Sequence, residues 1–182
     1  MFLNRSLGSL AALWGVGGAL AILGYAVSKM VWHTSEAFSG DYQLNIWHYL
    51  LLVVWTFFMA YSEGYKGFQK GYSPRVASRA VYLRDKSTWL RFALAPFFCL
   101  GFFHAPRKRK ITVVVLVIGI SLLVYFFRMI AQPWRGVLDL GVIVGLSWGI
   151  IATVIYFAKF WVATEVAFDP EVVEPEQNLA AE

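Results

Sequence analysis

Apolar positions in this chain fall in long unbroken runs, not in the alternation of strands or the one-sided stripes of soluble helices. Residues 7–28 carry no charge, residues 44–62 are dense in Leu, Val, Trp and Phe, and residues 111–127 are apolar and rich in β-branched side chains. Residues 137–161 are charged only near their ends, at Asp139 and Lys159. Each run approaches the roughly 20 residues that a helix needs to cross the hydrocarbon of a bilayer. The pattern predicts an all-α integral membrane protein with four spans in one membrane-embedded domain, residues 1–162. A cleaved signal peptide is the rival reading of residues 7–28, since Arg5 precedes them. The run exceeds the roughly 7–15 residues of a signal h-region, and no small-x-small site closes it.

The polar stretches are also ordered. Residues 29–43 read as a loop. After Ser62, the residues Tyr61, Tyr65, Phe68 and Tyr72 recur at helical spacing, as do Ala60, Gly64, Gly67 and Gly71. The second helix is therefore predicted to run past the bilayer to Tyr72. Ser73-Pro74 should break that helix and open another, with Ser as N-cap and Pro in the first turn. The new helix, residues 74–86, is short, basic and amphipathic and is expected to lie in the headgroup plane. Ser87-Thr88 can cap a further apolar segment, residues 89–105, which Pro96 interrupts and basic residues flank on both sides.

Charge decides how these pieces are threaded. Residues 60–110 hold eleven of the sixteen Lys and Arg but only two acids, Glu63 and Asp85. Lys and Arg concentrate on the cytoplasmic side of membrane proteins. A crossing at residues 89–105 would put one basic cluster outside, so that segment is expected to be re-entrant or interfacial. Both termini are then cytoplasmic, as expected for a bacterial inner-membrane protein. The tail, residues 163–182, has six acids, two prolines and no Lys or Arg, and is expected to be disordered. Hydrophobic residues at 59% and charged residues at 15%, against about 25% charged in soluble domains, agree with the class. A lone Cys99 excludes an intrachain disulfide.

Small residues predict where helices meet. Gly141, Gly145 and Gly149 stand four apart, with Thr153 extending the row, and Ala11, Gly15 and Ala19 form a similar stripe. Such stripes let backbones approach closely. The two are expected to mate, or the glycine ladder to join another copy in a homo-oligomer.

Candidate chemistry is sparse. The basic block predicts contact with anionic phospholipids or a protein partner through Lys66, Lys70, Arg75, Arg79, Lys86, Arg107, Lys108, Arg109 and Lys110. Each cation near an anionic leaflet adds about 1 kcal/mol of attraction. Nucleic acid is not expected, because lipid already neutralises such a patch. Acids of the tail, Glu171 among them, can fold back over the basic block and compete with that ligand. The alternative function is a small ion or proton transporter or channel subunit using Glu63 and Asp139, with Arg128 as a second partner for Asp139. Glu63 can pair with Lys66 at i+3, and Asp139 with Arg135 at i−4. A lipid-headgroup enzyme ranks below that, because the glycines and lysines of residues 64–75 miss phosphate-loop spacing and no catalytic triad or metalloprotease motif occurs. His33, Glu36 and His48 are the weak candidates for a metal, at a spacing that matches no established site. No cofactor is expected.

Overall fold

The computed structural model describes residues 4–163, 166 and 168–173. It is all-helical, with no strand among the described residues: α1 Arg5–Ala37, α2 Ile46–Met59, a π-helix Ala60–Tyr72, α3 Ser73–Lys86, α4 Trp89–Ala93, α5 Ala95–Leu100, α6 Arg107–Arg128 and α7 Trp134–Val162. Three of these, α1, α6 and α7, are long and apolar enough to cross a membrane. At 1.5 Å per residue the 33 residues of α1 extend about 50 Å.

The chain divides into two compact units. The first gathers residues 1–20, 73–118 and 153–182. It therefore holds the N-terminal ends of α1 and α6, the C-terminal end of α7, and the whole of α3, α4 and α5. Its centre is α3, of which nine residues, from Ser73 to Leu83, are buried. Close packing explains the small residues here. A Cβ at Gly8 would meet the backbone carbonyl of Arg84, and one at Gly15 would sit 2.6 Å from Cys99 Sγ. The Thr153 hydroxyl donates to Ser73 Oγ at 2.9 Å, tying α7 to the start of α3.

The second unit comprises residues 21–72 and 119–152. Its core is Met59, Val142 and Leu146, with Leu23, Val27, Met30, Trp55 and Phe68 packed around them. Asn45 caps α2: its side chain accepts from the backbone of Trp47 and His48, while His48 Nδ1 accepts from the Asn45 backbone N–H at 3.0 Å. Gln132, ahead of the cis bond to Pro133, caps the start of α7. Its Oε1 accepts from the Gly136 N–H and its Nε2 donates to the His33 carbonyl.

Several expectations change. The predicted loop at residues 29–43 is helical as far as Ala37, because Val31, Trp32 and the small polar residues sustain α1 beyond its charged Lys29. The helix continues to Tyr72 as its periodicity suggested, but as a π-helix of thirteen residues, where single turns are usual. Ser73-Pro74 does not break the chain into separate helices, since the π-helix passes directly into α3. Nor does α3 present one polar face to water. Val76, Ala77, Ser78, Arg79 and Ala80 are all buried in succession, which requires neighbours on every side. Segment 89–105 forms two short helices parted at Leu94 and ends in the left-handed Gly101 (φ 90°), so no continuous helix crosses there.

The two small-residue stripes do not mate. Gly15 faces Cys99 and Ala95, whereas the α7 ladder takes side chains: Trp55 at Gly141, Glu63 at Gly145 and Phe68 at Gly149. The glycine notches hold bulky groups from α2 and the π-helix, not another bare backbone. The tail reading falls partly outside the described residues, Glu165, Glu174 and Glu176 included. Within them, residues 168–173 make defined contacts, described next.

Candidate functional site

The first unit contains an arginine cluster built on α3. Arg75 and Arg79 stand one helical turn apart, and Arg109 joins them from the first turn of α6. Arg79 is buried, with 3% of its surface exposed. A buried guanidinium is tolerable only when its donors are used, and here five carbonyls receive them. Its Nε donates to Phe98 O at 2.7 Å, one terminal nitrogen to Phe103 O at 2.5 Å and His104 O at 3.5 Å. The other terminal nitrogen donates to Pro170 O at 3.0 Å and Glu171 O at 3.3 Å. Burial lowers the Arg79 guanidinium to about 10, which leaves it charged at neutral pH.

The tail closes the cluster. Arg109 grips the Glu171 carboxylate with two parallel bonds, Nε to Oε2 at 3.0 Å and a terminal nitrogen to Oε1 at 3.2 Å. Two-pronged pairs of this kind are among the stronger charge-assisted contacts. The bond from Arg109 and the nearby positive charges hold the Glu171 carboxyl below its ordinary range. Arg75 stands 3.8 Å from Oε1, and its ring neighbour is Phe168. Its Nε is buried and makes no hydrogen bond among the described residues. The Val173 N–H donates to His104 O at 3.0 Å. Glu171 and His104 both take left-handed backbone (φ 49° each), uncommon for such residues.

The remaining basic residues divide by what they touch. Arg107, Lys108 and Lys110 are exposed at the start of α6, and so is Lys86 at the end of α3, its ammonium over the Tyr82 ring. Arg84 donates to Trp161 O at 3.0 Å and covers that ring, at the end of α7. Of the nine predicted cations, then, Arg79 and Arg109 are committed within the protein, and Arg75 is half-buried beside them. None of the residues of α6 is buried, although the helix is apolar for nearly its whole length.

In the second unit, Lys66 and Lys70 are exposed and lie over Tyr61 and Tyr65, 4.8 Å and 4.5 Å from the ring centroids. Both pairs are separated by five residues. A π-helix brings i and i+5 together, where an α-helix would bring i and i+3 or i+4. The expected Glu63–Lys66 pair is not formed for that reason. Glu63 instead turns toward α7, where a Cβ at Gly145 would come within 2.8 Å of its Oε2. That oxygen is buried and without a hydrogen-bond partner among the described residues.

Asp139 is buried and pairs with Arg135 at 3.8 Å, while Arg128 is exposed. His33 and Glu36 approach to 3.9 Å, but His48 is buried beneath the Trp134 ring at 4.0 Å. No group of three His, Cys, Asp or Glu that could hold a metal occurs among the described residues. The acceptor role of the Phe98, Phe103 and Pro170 carbonyls carries no sequence signal. The Glu171 clasp had one, the placement of acids after a basic block. Compared with known proteins, the chain matches no family model, no curated protein and no solved structure.

Proposed function

We propose that this chain is a non-catalytic bacterial inner-membrane protein that contacts anionic phospholipid through a basic cytoplasmic surface at the foot of α6. One observation carries the reading: Arg107, Lys108 and Lys110 are exposed in the first turn of a helix that is otherwise apolar and has no buried residue. A helix with that exterior is solvated by lipid tails, which sets its cationic first turn at headgroup depth. Three such charges there attract an anionic leaflet by roughly 3 kcal/mol. In this reading the first unit, which unites the starts of α1 and α6 with the end of α7, faces the cytoplasm together with both termini. Four crossings are then required, the fourth being α2 and the beginning of the π-helix. The 14 residues of α2 rise only about 21 Å, short of a 30 Å core, so the π-helix must complete the span. Segment 89–105 enters and leaves on the cytoplasmic side, and α3 supports it from within the unit instead of lying in the headgroup plane.

The test is lipid retention in a mixed bilayer. Purified from nanodiscs containing equal phosphatidylcholine and phosphatidylglycerol, the protein should keep an excess of phosphatidylglycerol by native mass spectrometry. The variant R107Q/K108Q/K110Q should lose that excess. Equal enrichment in both proteins refutes the reading.

A second reading, a small ion or proton carrier, is favoured by the Glu63 carboxyl, whose buried Oε2 faces the α7 glycine ladder without a hydrogen-bond partner among the described residues. Ionisable groups held in such surroundings mark transport paths in membrane proteins.

A further inference from the structure

We propose that Arg75, Arg79 and Arg109 form a binding site for a phosphate group, and that Glu171 occupies it as an internal substitute that must leave before the ligand enters. The inference rests on the basic-surface reading above and names the chemistry and control of one part of that surface. Two guanidiniums, Arg75 and Arg109, face the Glu171 carboxylate, and a third, Arg79, holds the Pro170 and Glu171 backbone carbonyls beside it, so the cluster holds more positive charge than its occupant neutralises. The occupant also fits incompletely. Arg109 engages both carboxylate oxygens, while the Arg75 Nε, buried 3.8 Å from Oε1, is too far to bond and makes no hydrogen bond among the described residues. A carboxylate offers two oxygens in a plane, whereas a terminal phosphate offers three in a tetrahedron and a second negative charge.

Removal of the tail sharpens the demand. The same Arg79 nitrogen that holds Pro170 O and Glu171 O would lose both acceptors, and Arg109 would lose both of its bonds. Arg79 would keep the Phe98, Phe103 and His104 carbonyls, but the donors freed on Arg79 and Arg109 are costly to leave unused, so the opened site suits an anion that reaches Arg75, Arg79 and Arg109 together. Among the described residues the tail is held by the Arg79 bonds, the Arg109 clasp, Arg75 beside Glu171 and Phe168, and Val173 N–H to His104 O. Glu171 is held in a left-handed conformation while there. These features describe a strap that can be exchanged for ligand, not a permanent part of the core.

Two sources supply this chemistry, a phosphomonoester lipid headgroup and free phosphate, and the experiment separates them. Full-length protein is placed in phosphatidylcholine nanodiscs with increasing phosphatidic acid, or in phosphatidylcholine alone with increasing inorganic phosphate. Bound lipid or phosphate is read by native mass spectrometry, and tail release by hydrogen exchange of the Val173 amide. Ligand should deprotect that amide in the wild type. E171Q should lower the half-saturating amount by about fivefold to tenfold, the factor by which a site closed for roughly 80–90% of the time is masked. R75Q leaves the clasp bonds untouched, so it should keep the amide protected while weakening binding by about tenfold, one charge-assisted bond.

Saturation in the lipid arm with these shifts supports a headgroup site. The same shifts in the free-phosphate arm alone support the site and assign it to the soluble anion. Unchanged binding in E171Q, or an R75Q that deprotects Val173 without weakening binding, overturns the proposal. The broader basic-surface reading fails separately, through R107Q/K108Q/K110Q, because none of those side chains takes part in the clasp.

Discussion

Two ionisable side chains with buried polar atoms meet opposite fates in this protein. In the first unit Arg79 is surrounded by acceptors, with five carbonyls drawn from α5, the turn after it and the tail. In the second unit Glu63 lies against Gly145 of α7, and one of its oxygens has no hydrogen-bond partner among the described residues. A charge whose every donor is used holds loops together. An ionisable group that the fold leaves without a partner gains little for stability.

That contrast is open to direct measurement, since the same operation on each side chain should give opposite signs. Arg79→Met keeps the length and apolar bulk but takes a donor from five carbonyls, of which Phe98 O and His104 O keep a backbone N–H. It should destabilise the protein by about 3–5 kcal/mol, visible as a large fall in Tm in detergent. A loss under 1 kcal/mol would show that the carbonyls find other donors and that Arg79 organises nothing.

Gly149→Ala tests the packing side of the comparison. A Cβ there would stand 2.5 Å from the Phe68 ring, which must shift from its place in the core beside Met59 and Val142. Overpacking of this kind costs about 1–3 kcal/mol. The same change at Gly119, whose added Cβ meets no atom within 4 Å, should be silent and serves as the control.

Glu63→Leu should produce the smallest change in stability, neutral or a gain of under about 1 kcal/mol, because an unpartnered carboxyl is replaced by an apolar group of similar size. If the carrier reading holds, the variant abolishes cation- or proton-dependent fluorescence changes in proteoliposomes while remaining folded. Wild-type flux in Glu63→Leu removes that reading. A marked loss of stability would mean that Glu63 is compensated after all, and the contrast with Arg79 would collapse.

How much of this was readable in the chain depends on whether a feature is local. The apolar runs at 7–28, 111–127 and 137–161 announce α1, α6 and α7, because hydrophobic length needs no partner to be recognised. The Thr88 cap was also legible, its Oγ1 accepting from the Arg91 N–H at 3.3 Å. Partnership was not. The α7 glycines advertise close approach but not what approaches, and Trp55, Glu63 and Phe68 fill them in place of a second small-residue stripe. Burial of α3 was hidden because Arg79 reads as a surface cation when its acceptors lie 19 to 92 residues away. The pairing of Glu63 failed on helix type, since i+3 arithmetic assumes the ordinary turn. The acidic tail does fold back onto the basic block at Glu171, and its described part makes defined contacts where disorder was expected.

The wide helix at Ala60–Tyr72 has a consequence for how this sequence tolerates change in length. Deleting one residue inside it would let the backbone relax to the tighter coil, in which each residue turns by about 100°. The lysine ammonium groups would then slide off their tyrosines, because Lys66 over Tyr61 and Lys70 over Tyr65 both depend on the five-residue spacing of the wide turn.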